Sequence, residues 1–281
     1  MFSVILVTYN SSDVLPEAIA SIPASCEVLV VDNASSDRSC EIAQSMGARV
    51  VTLHQNLGFG TACNRGAALA RNDALLFLNP DARLAPGCLD ALSRGMAAYP
   101  GSVAFNPRIL NSRGEAYFKA TNRLAGKHFS LSAPPTADTQ IPMAIGAVLA
   151  FRKETFHRLG GFDENIFLYF EDVELSARAI LAGHCLHHIH DALAYHREGE
   201  STVATPQVAN FKAYHFMKAN LYVSKNYGLR YSRTQHIASN LAKLGAAKLS
   251  GDEFRIAIYR GRLKALTERA PGSPAGEMNS R

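Results

Sequence analysis

The stretch "ALLFLNPDARL", Ala74–Leu84, runs from an unbroken aliphatic segment straight into Asn79-Pro80-Asp81. Such a run suits a strand buried on both faces. Pro80 cannot donate to a strand ladder and biases Asn79 away from helix, so the strand stops there and carries Asp81 out of the sheet. A carboxylate delivered at a strand end is placed to face a ligand.

Similar runs lie upstream. "FSVILVT" (2–8), "EVLVVD" (27–32) and "ARVVTL" (48–53) read as strands, and 13–22, 36–46, 61–71 and 87–98 have helical composition. This βαβ spacing predicts an α/β fold with a mostly parallel central sheet flanked by helices. Ligands of such sheets collect at the carboxyl ends of the strands. Those ends carry Thr8-Tyr9-Asn10, Asp32-Asn33, His54-Gln55-Asn56 and Asn79-Pro80-Asp81.

Residues 111–140 are polar and rich in Gly, Pro and Ser, which predicts a long mobile loop over that edge. "IPMAIGAVLAFRKETFHRLGGF" then reads as a strand broken at Gly146 and a helix from about Lys153 that ends at Gly160-Gly161. Another helix is expected to begin near Glu171, and long helical patterns run from Gln207 to Asn226 and from Tyr231 to Arg269. The division expected is residues 1–205 as a ligand-binding domain, 206–270 as a helical extension and 271–281 as a disordered tail.

The 281 residues, 47% hydrophobic and 19% charged, are enough for a large globular core. Cys26, Cys40, Cys63, Cys88 and Cys185 are scattered without a C-x-x-C pair, which argues against a disulfide framework and fits a reducing cytoplasm. "MFSVILVTYN" has no basic n-region, and no window approaches the length of a membrane span. The net charge of +5 is uneven: residues 1–210 hold 16 Lys+Arg against 20 Asp+Glu, and residues 211–270 hold 12 against 3. Basicity is therefore local to the C-terminal quarter, where it suits anionic lipid head groups or nucleic acid. No RNA- or DNA-recognition motif accompanies it, so no nucleic-acid partner is expected.

Each candidate constellation has a plain structural reading beside the functional one. In "VVDNASSDRS", Asp32 at a strand tip is placed to accept from a pyrimidine N–H, with Asn33 and Asn10 nearby; the same Ser/Asp cluster would serve as a helix cap. "NLGFGTACNRG" lacks the third glycine of a dinucleotide fingerprint, which argues against NAD. Gly58 and Gly60 permit close backbone approach, and Asn64 and Arg65 lie in the first turns of the next helix, where an anion could be met. "FLYFEDVELSAR" puts Glu171 and Asp172 at a helix start, favoured by the dipole even without chemistry, behind an aromatic run that would raise a carboxylate's pKa. The histidines of "HCLHHIHDALAYH" alternate like a strand and lack a cysteine pair, so a zinc cage is rejected; His196 stands apart at the strand's end.

Taken in order, "SVILVTYNSSDVLPEAIASI", "VVDNASSD", "NLGFGTACNRG", "LLFLNPDARL", "GAVLAFRKETFHRLGGFDENIFLYFEDVELSARA" and "AYHREGES" resemble the family 2 inverting glycosyltransferases of GT-A fold, nearest their bacterial rhamnosyltransferase-like branch. The resemblance spans residues 3 to about 202. It implies a nucleotide-diphospho-sugar transferase fold, with Thr8, Tyr9, Asn10, Asp32, Asn33, Asn56, Gly58, Asn64, Arg65 and Asn79 on the donor side. Asp81 matches the last acid of the family's Asp-x-Asp, with Asn79 in the first place, and implies a Mg or Mn cofactor whose shell His196 joins. Asp172, beside Glu171, matches the general base, and Gly146, Gly161, Phe162 and Asp163 match acceptor-side segments. The implied donors are dTDP- or UDP-sugars, and the implied acceptors are glycans or polyprenyl-linked glycans at the cytoplasmic membrane face. Residues 211–270, with Phe211, Tyr214, Leu221 and Tyr222 beside Lys212, Lys218 and Lys225, would dock on an anionic surface or else form a helix with a solvated basic face. A catalytically silent nucleotide-sugar-binding protein is the alternative from another class.

Overall fold

The computed structural model describes residues 1–126, 130–197 and 204–268. The expected tail, 271–281, lies outside the described residues. The chain opens β1 (Phe2–Thr8), α1 (Leu15–Ala20), β2 (Glu27–Asp32), α2 (Ser39–Ser45), β3 (Arg49–Thr52), α3 (Phe59–Leu69) and β4 (Ala74–Leu78). It continues β5 (Ala82–Leu84), α4 (Cys88–Ala98), β6 (Ser102–Leu110), β7 (Ala116–Tyr117), β8 (Thr139–Gln140), β9 (Val148–Arg152) and α5 (Lys153–Arg158). The last elements are α6 (Glu171–Leu181), β10 (Cys185–His196), α7 (Pro206–Asn226), α8 (Arg233–Leu249) and α9 (Glu253–Thr267).

The sheet order is β3-β2-β1-β4-β9-β6-β10-β5, with β7 on β6 and β8 on β10. Strands β3, β2, β1 and β4 are parallel, in a register that sets Thr8 beside Asp32 and Asp32 beside Thr52. Strand β9 runs against both β4 and β6, after which β6 and β10 resume the original direction. The α/β fold with a mostly parallel sheet flanked by helices is therefore present.

Alternation along the central strands explains why both faces are covered. Leu76 and Leu78 of β4 enter one core with Leu15, Ile19 and Leu92 from α1 and α4; Leu75 and Phe77 enter the other with Ala62, Phe156 and Leu175 from α3, α5 and α6. Side chains two apart share a face, so a continuous aliphatic run needs a helical layer on each side. After β4, the Ala82 N–H donates to the Asn79 carbonyl at 3.0 Å, making Asn79–Ala82 a tight turn with Pro80 at its second place.

Two expectations need correction. The segment 111–140 is not simply a loop over the sheet edge: it supplies β7 and β8, buries Leu124 and Ala125 against Ile166, Ala177 and Val223, and ties the Asn122 amide to the Val173 carbonyl at 2.9 Å. The helical pattern from Tyr231 to Arg269 is broken at Ser250-Gly251-Asp252, where Gly251 has φ +68° and the Asp252 carboxylate accepts from the Arg255 N–H at 2.9 Å. Helix α9 folds back on α7, and Gly261 permits it: a Cβ there would lie 2.3 Å from the Asn210 carbonyl oxygen.

Candidate active site

Two clefts open at the carboxyl end of the sheet and share a wall. The larger, about 580 Å³, is lined by Tyr9, Asn33, Asn56, Gly58, Asn79, Asp81 and His196, and is closed by Phe167–Tyr169 and the first turns of α7. Its neighbour, about 350 Å³, is lined by Tyr117, Lys119, Met143, Gly146, Glu171, Asp172 and Phe216. Phe59, Asn79, Leu168, Tyr169 and His196 border both.

The floor of the larger cleft is built by side chains that satisfy the backbone. The Asn33 amide donates to Asn56 Oδ1 at 2.8 Å and to the Gly58 carbonyl at 3.2 Å, while its Oδ1 accepts from the Leu57 N–H at 2.8 Å. Gly58, at φ +88°, is obligatory: a Cβ would lie 2.3 Å from the Phe167 carbonyl oxygen, which accepts from the Phe59 N–H. In the Ser/Asp cluster Asp37 accepts from the Ser39 N–H at 3.0 Å and the Ser12 N–H at 2.9 Å, tying the loop after β1 to the start of α2. Asp32 accepts from the Ser35 N–H at 3.1 Å through one oxygen, and its other oxygen and the Thr8 hydroxyl are buried without a hydrogen bond. Buried polar atoms of that kind call for a partner.

Asp81 is buried at the mouth of the turn after β4, and its Oδ1 lies 3.3 Å from His196 Nε2. Antiparallel pairing of β5 with the end of β10 sets Ala82 against His196, which joins residues far apart in the chain. The Arg197 N–H donates to the Asp81 carbonyl at 3.1 Å.

Asp172 is held across the shared wall. Buried Asn106 accepts from the Ile145 N–H at 2.5 Å and donates to the carbonyls of Ile145 and Val148, fixing the break before β9. That break aims the Gly146 N–H at Asp172 Oδ2, 2.9 Å away, and the Val173 N–H donates to Oδ1 at 2.8 Å. Tyr169 and Phe170 precede it at φ +69° and +71°, a conformation costly for aromatic residues that sets the entry into α6. Burial pushes the Asp172 carboxyl above its ordinary pKa, opposed by the two N–H donors and by Lys119. Burial, and next the charge of Asp172, push Glu171 up to about 8, so near neutrality Glu171 keeps its proton.

Several expected site residues lie elsewhere. Asn64 does not line the larger cleft: its amide donates to the Phe162 carbonyl at 2.9 Å and its Oδ1 accepts from the Phe162 N–H at 2.8 Å, so both ends serve the fold. Arg65 is on the exposed face of α3. Gly161 packs on Asn64, and Phe162 is a core residue among Phe77, Phe156 and Phe59, so neither faces an acceptor. Asp163 accepts from the Tyr222 hydroxyl at 2.8 Å and anchors α7. Asn10 turns its Oδ1 to the Ser36 N–H at 2.8 Å, beside the cleft. Of the acceptor-side set, Gly146 alone lines the second cleft. The residues not foreseen are Tyr117, Lys119, Met143 and Phe216 around Asp172, and Gln207, Val208 and Lys212 from α7.

The model of the family described as "Glycosyl transferase family 2" matches residues 3–160, which hold the donor-side strands and Asp81. The chain belongs to glycosyl transferase family 2. Among family 2 relatives, an N-acetylglucosaminyl-diphospho-decaprenol L-rhamnosyltransferase of Mycobacterium tuberculosis is 28% identical over 248 residues, covering 75% of this chain and 80% of that protein. The fold is similar to the mannosyltransferase PcManGT of Pyrobaculum calidifontis in complex with GDP-Man and Mn2+ (TM-score 0.59, 16% identity, 95% of this chain and 87% of that one). It is also similar to S. aureus TarS 1–349 in complex with UDP-GlcNAc (TM-score 0.56, 16% identity, 93% and 90%). These likenesses show a GT-A glycosyltransferase fold.

Proposed function

We propose that the protein is an inverting glycosyltransferase that moves rhamnose or a similar hexose from a nucleoside-diphosphate donor to a hydroxyl of a lipid-linked glycan in cell-surface polysaccharide assembly. One observation carries this reading: Asp81 with His196, and Asp172, occupy adjoining clefts divided by a common wall. A leaving diphosphate and an attacking hydroxyl need such opposed compartments.

In this reading the donor's nucleotide lies over Tyr9, Asn33 and Asn56; Tyr9 and Asn33 adjoin in the chain the buried Thr8 and Asp32, each of which has an oxygen that lacks a partner. The acceptor hydroxyl enters the second cleft and gives its proton to Asp172, whose two N–H donors hold it in one orientation. Attack from that side displaces the diphosphate into the other cleft, so the anomeric configuration inverts. The carboxylate and imidazole of Asp81 and His196 suit Mg or Mn, and among the described residues they belong to no group of three or more acidic, His or Cys side chains able to hold a metal. A cation held there would supply positive charge against the leaving diphosphate. The test is incubation with dTDP-, UDP- and GDP-sugars and a lipid-linked acceptor, with NMR of the new linkage. Inversion is expected; retention of configuration would exclude the role given to Asp172.

The membrane reading moves to a different surface. Tyr214 and Tyr222 of α7 are bonded to Glu268 and Asp163, and Lys218 pairs with Glu268 at 3.2 Å, so these three side chains are tied to the fold. At the corner of α8 and α9, Leu249 and Phe254 are exposed beside Lys248 and Arg255, the latter paired with Asp252 at 3.2 Å; Leu241 and Lys243 are exposed earlier on α8, and Leu249 is 93% exposed. Apolar tips among cations suit an anionic bilayer. No described helix is long and apolar enough to cross a membrane. Flotation with anionic but not neutral liposomes is expected, and L249E/F254E should abolish it; equal flotation of that variant removes this surface from the role.

A further inference from the structure

We infer that helix α7, outside the region matched by the family model, completes the donor site, and that Lys212 is a binding residue for the donor's diphosphate. The inference rests on the glycosyltransferase reading above and adds a subsite to it.

The larger cleft must hold a dianionic or trianionic group close to the Asp81 carboxylate. Among its described lining residues, Lys212 is the single Lys or Arg. Arg65, the cation expected on the donor side, is on the outside of α3. The Lys212 ammonium has no hydrogen bond or ion pair among the described residues, whereas nearby Lys218 is committed to Glu268 at 3.2 Å. An unpaired ammonium on the wall of a cleft is the complement of a phosphate oxygen.

The helix that carries it is braced from several sides. Thr205 caps its start by accepting from the Val208 N–H at 3.2 Å. Asn210 donates to the Ala257 carbonyl at 2.8 Å, and the hydroxyls of Tyr222 and Tyr227 donate to Asp163 and Glu174, both at 2.8 Å. Phe167, on the cleft wall, stacks on His215 with ring centroids 4.2 Å apart and meets Phe211 edge-on at 5.8 Å. Gln207, Val208 and Phe211 line the cleft with Lys212, so one helical face presents the cation at a fixed place. Asn79 stands where a second carboxylate would be, and a site with one acid has more need of a protein cation against the phosphates.

The experiment is calorimetric titration of the full chain, with manganese present, using UDP, dTDP and GDP and their parent nucleosides. Lys212→Met is expected to weaken the preferred diphosphate by about 10- to 100-fold, the range of a charge-assisted hydrogen bond, and to leave nucleoside binding unchanged. Lys212→Arg should restore most of the affinity, and an unaltered melting temperature in both variants would show that α7 stays docked. Equal diphosphate affinity in wild type and Lys212→Met overturns the subsite and leaves the glycosyltransferase reading standing. An equal loss for nucleoside and diphosphate also overturns it, because Lys212 would then be shaping the cleft. If the wild type binds none of the three diphosphates, both the subsite and the reading beneath it fall.

Discussion

Asp172→Asn is expected to lower turnover roughly 10²–10⁴-fold, the range of general base catalysis, while donor affinity is unchanged. The substitution keeps size and shape. The amide oxygen can accept from only one of the Gly146 and Val173 N–H groups, and the NH2 faces the other, so the melting temperature is measured beside turnover. What disappears is the ability to take a proton. On the proposed mechanism the carboxylate acts in the transition state from the cleft adjoining the one given to the donor, so kcat and kcat/KM should fall together. Glu171 is a poor substitute: it lies over Gly60 of α3, and burial keeps it protonated near neutrality. Single-turnover assays with donor titrations separate the terms, and turnover equal to wild type would remove Asp172 from the role.

Arg178→Met is expected to cost about 3–5 kcal/mol of folding stability, the cost of leaving a buried charge without its partner. Arg178 reaches buried Glu174 one turn away at 3.0 Å through Nε and 2.5 Å through Nη2, and also donates to the carbonyls of Leu159 and Gly161. Tyr227, which follows the last residue of α7, donates to the same carboxylate at 2.8 Å. One pair thus fastens α6, the turn at Gly160-Gly161 and the C-terminal helices. Methionine fills part of the volume and none of the charge. Urea unfolding should show the lower midpoint, and Arg178→Met/Glu174→Leu should recover part of the loss, since removing both charges removes the desolvation penalty. A single variant as stable as wild type would mean that Glu174 finds other compensation.

Much of the architecture is legible in the chain because it depends on local pattern. Aliphatic runs with polar ends give β1, β2 and β4 within a residue of their observed bounds. Pro80 explains where β4 stops, and the helix start at Glu171 falls at the expected place. Motif resemblance pointed to Asp81, His196 and Asp172, which line the two clefts. Resemblance misplaced Asn64, Gly161 and Phe162, which form an interlocked turn, because a motif residue suits a fold contact as well as a ligand contact.

The sequence by itself determined the order of strands and helices, the layering of apolar faces and the delivery of polar residues to one edge, since each follows from neighbours a few positions apart. Only the tertiary structure decided which of those polar groups face open space. Asp81 meets His196 because β5 pairs with β10, Asp172 meets Gly146 because Asn106 pins a break in another strand, and Lys212 reaches the larger cleft because α7 is braced from Asp163 and Glu174. Whether a side chain is spent on the fold or offered to a ligand depends on partners distant in the chain, and local periodicity carries no record of them.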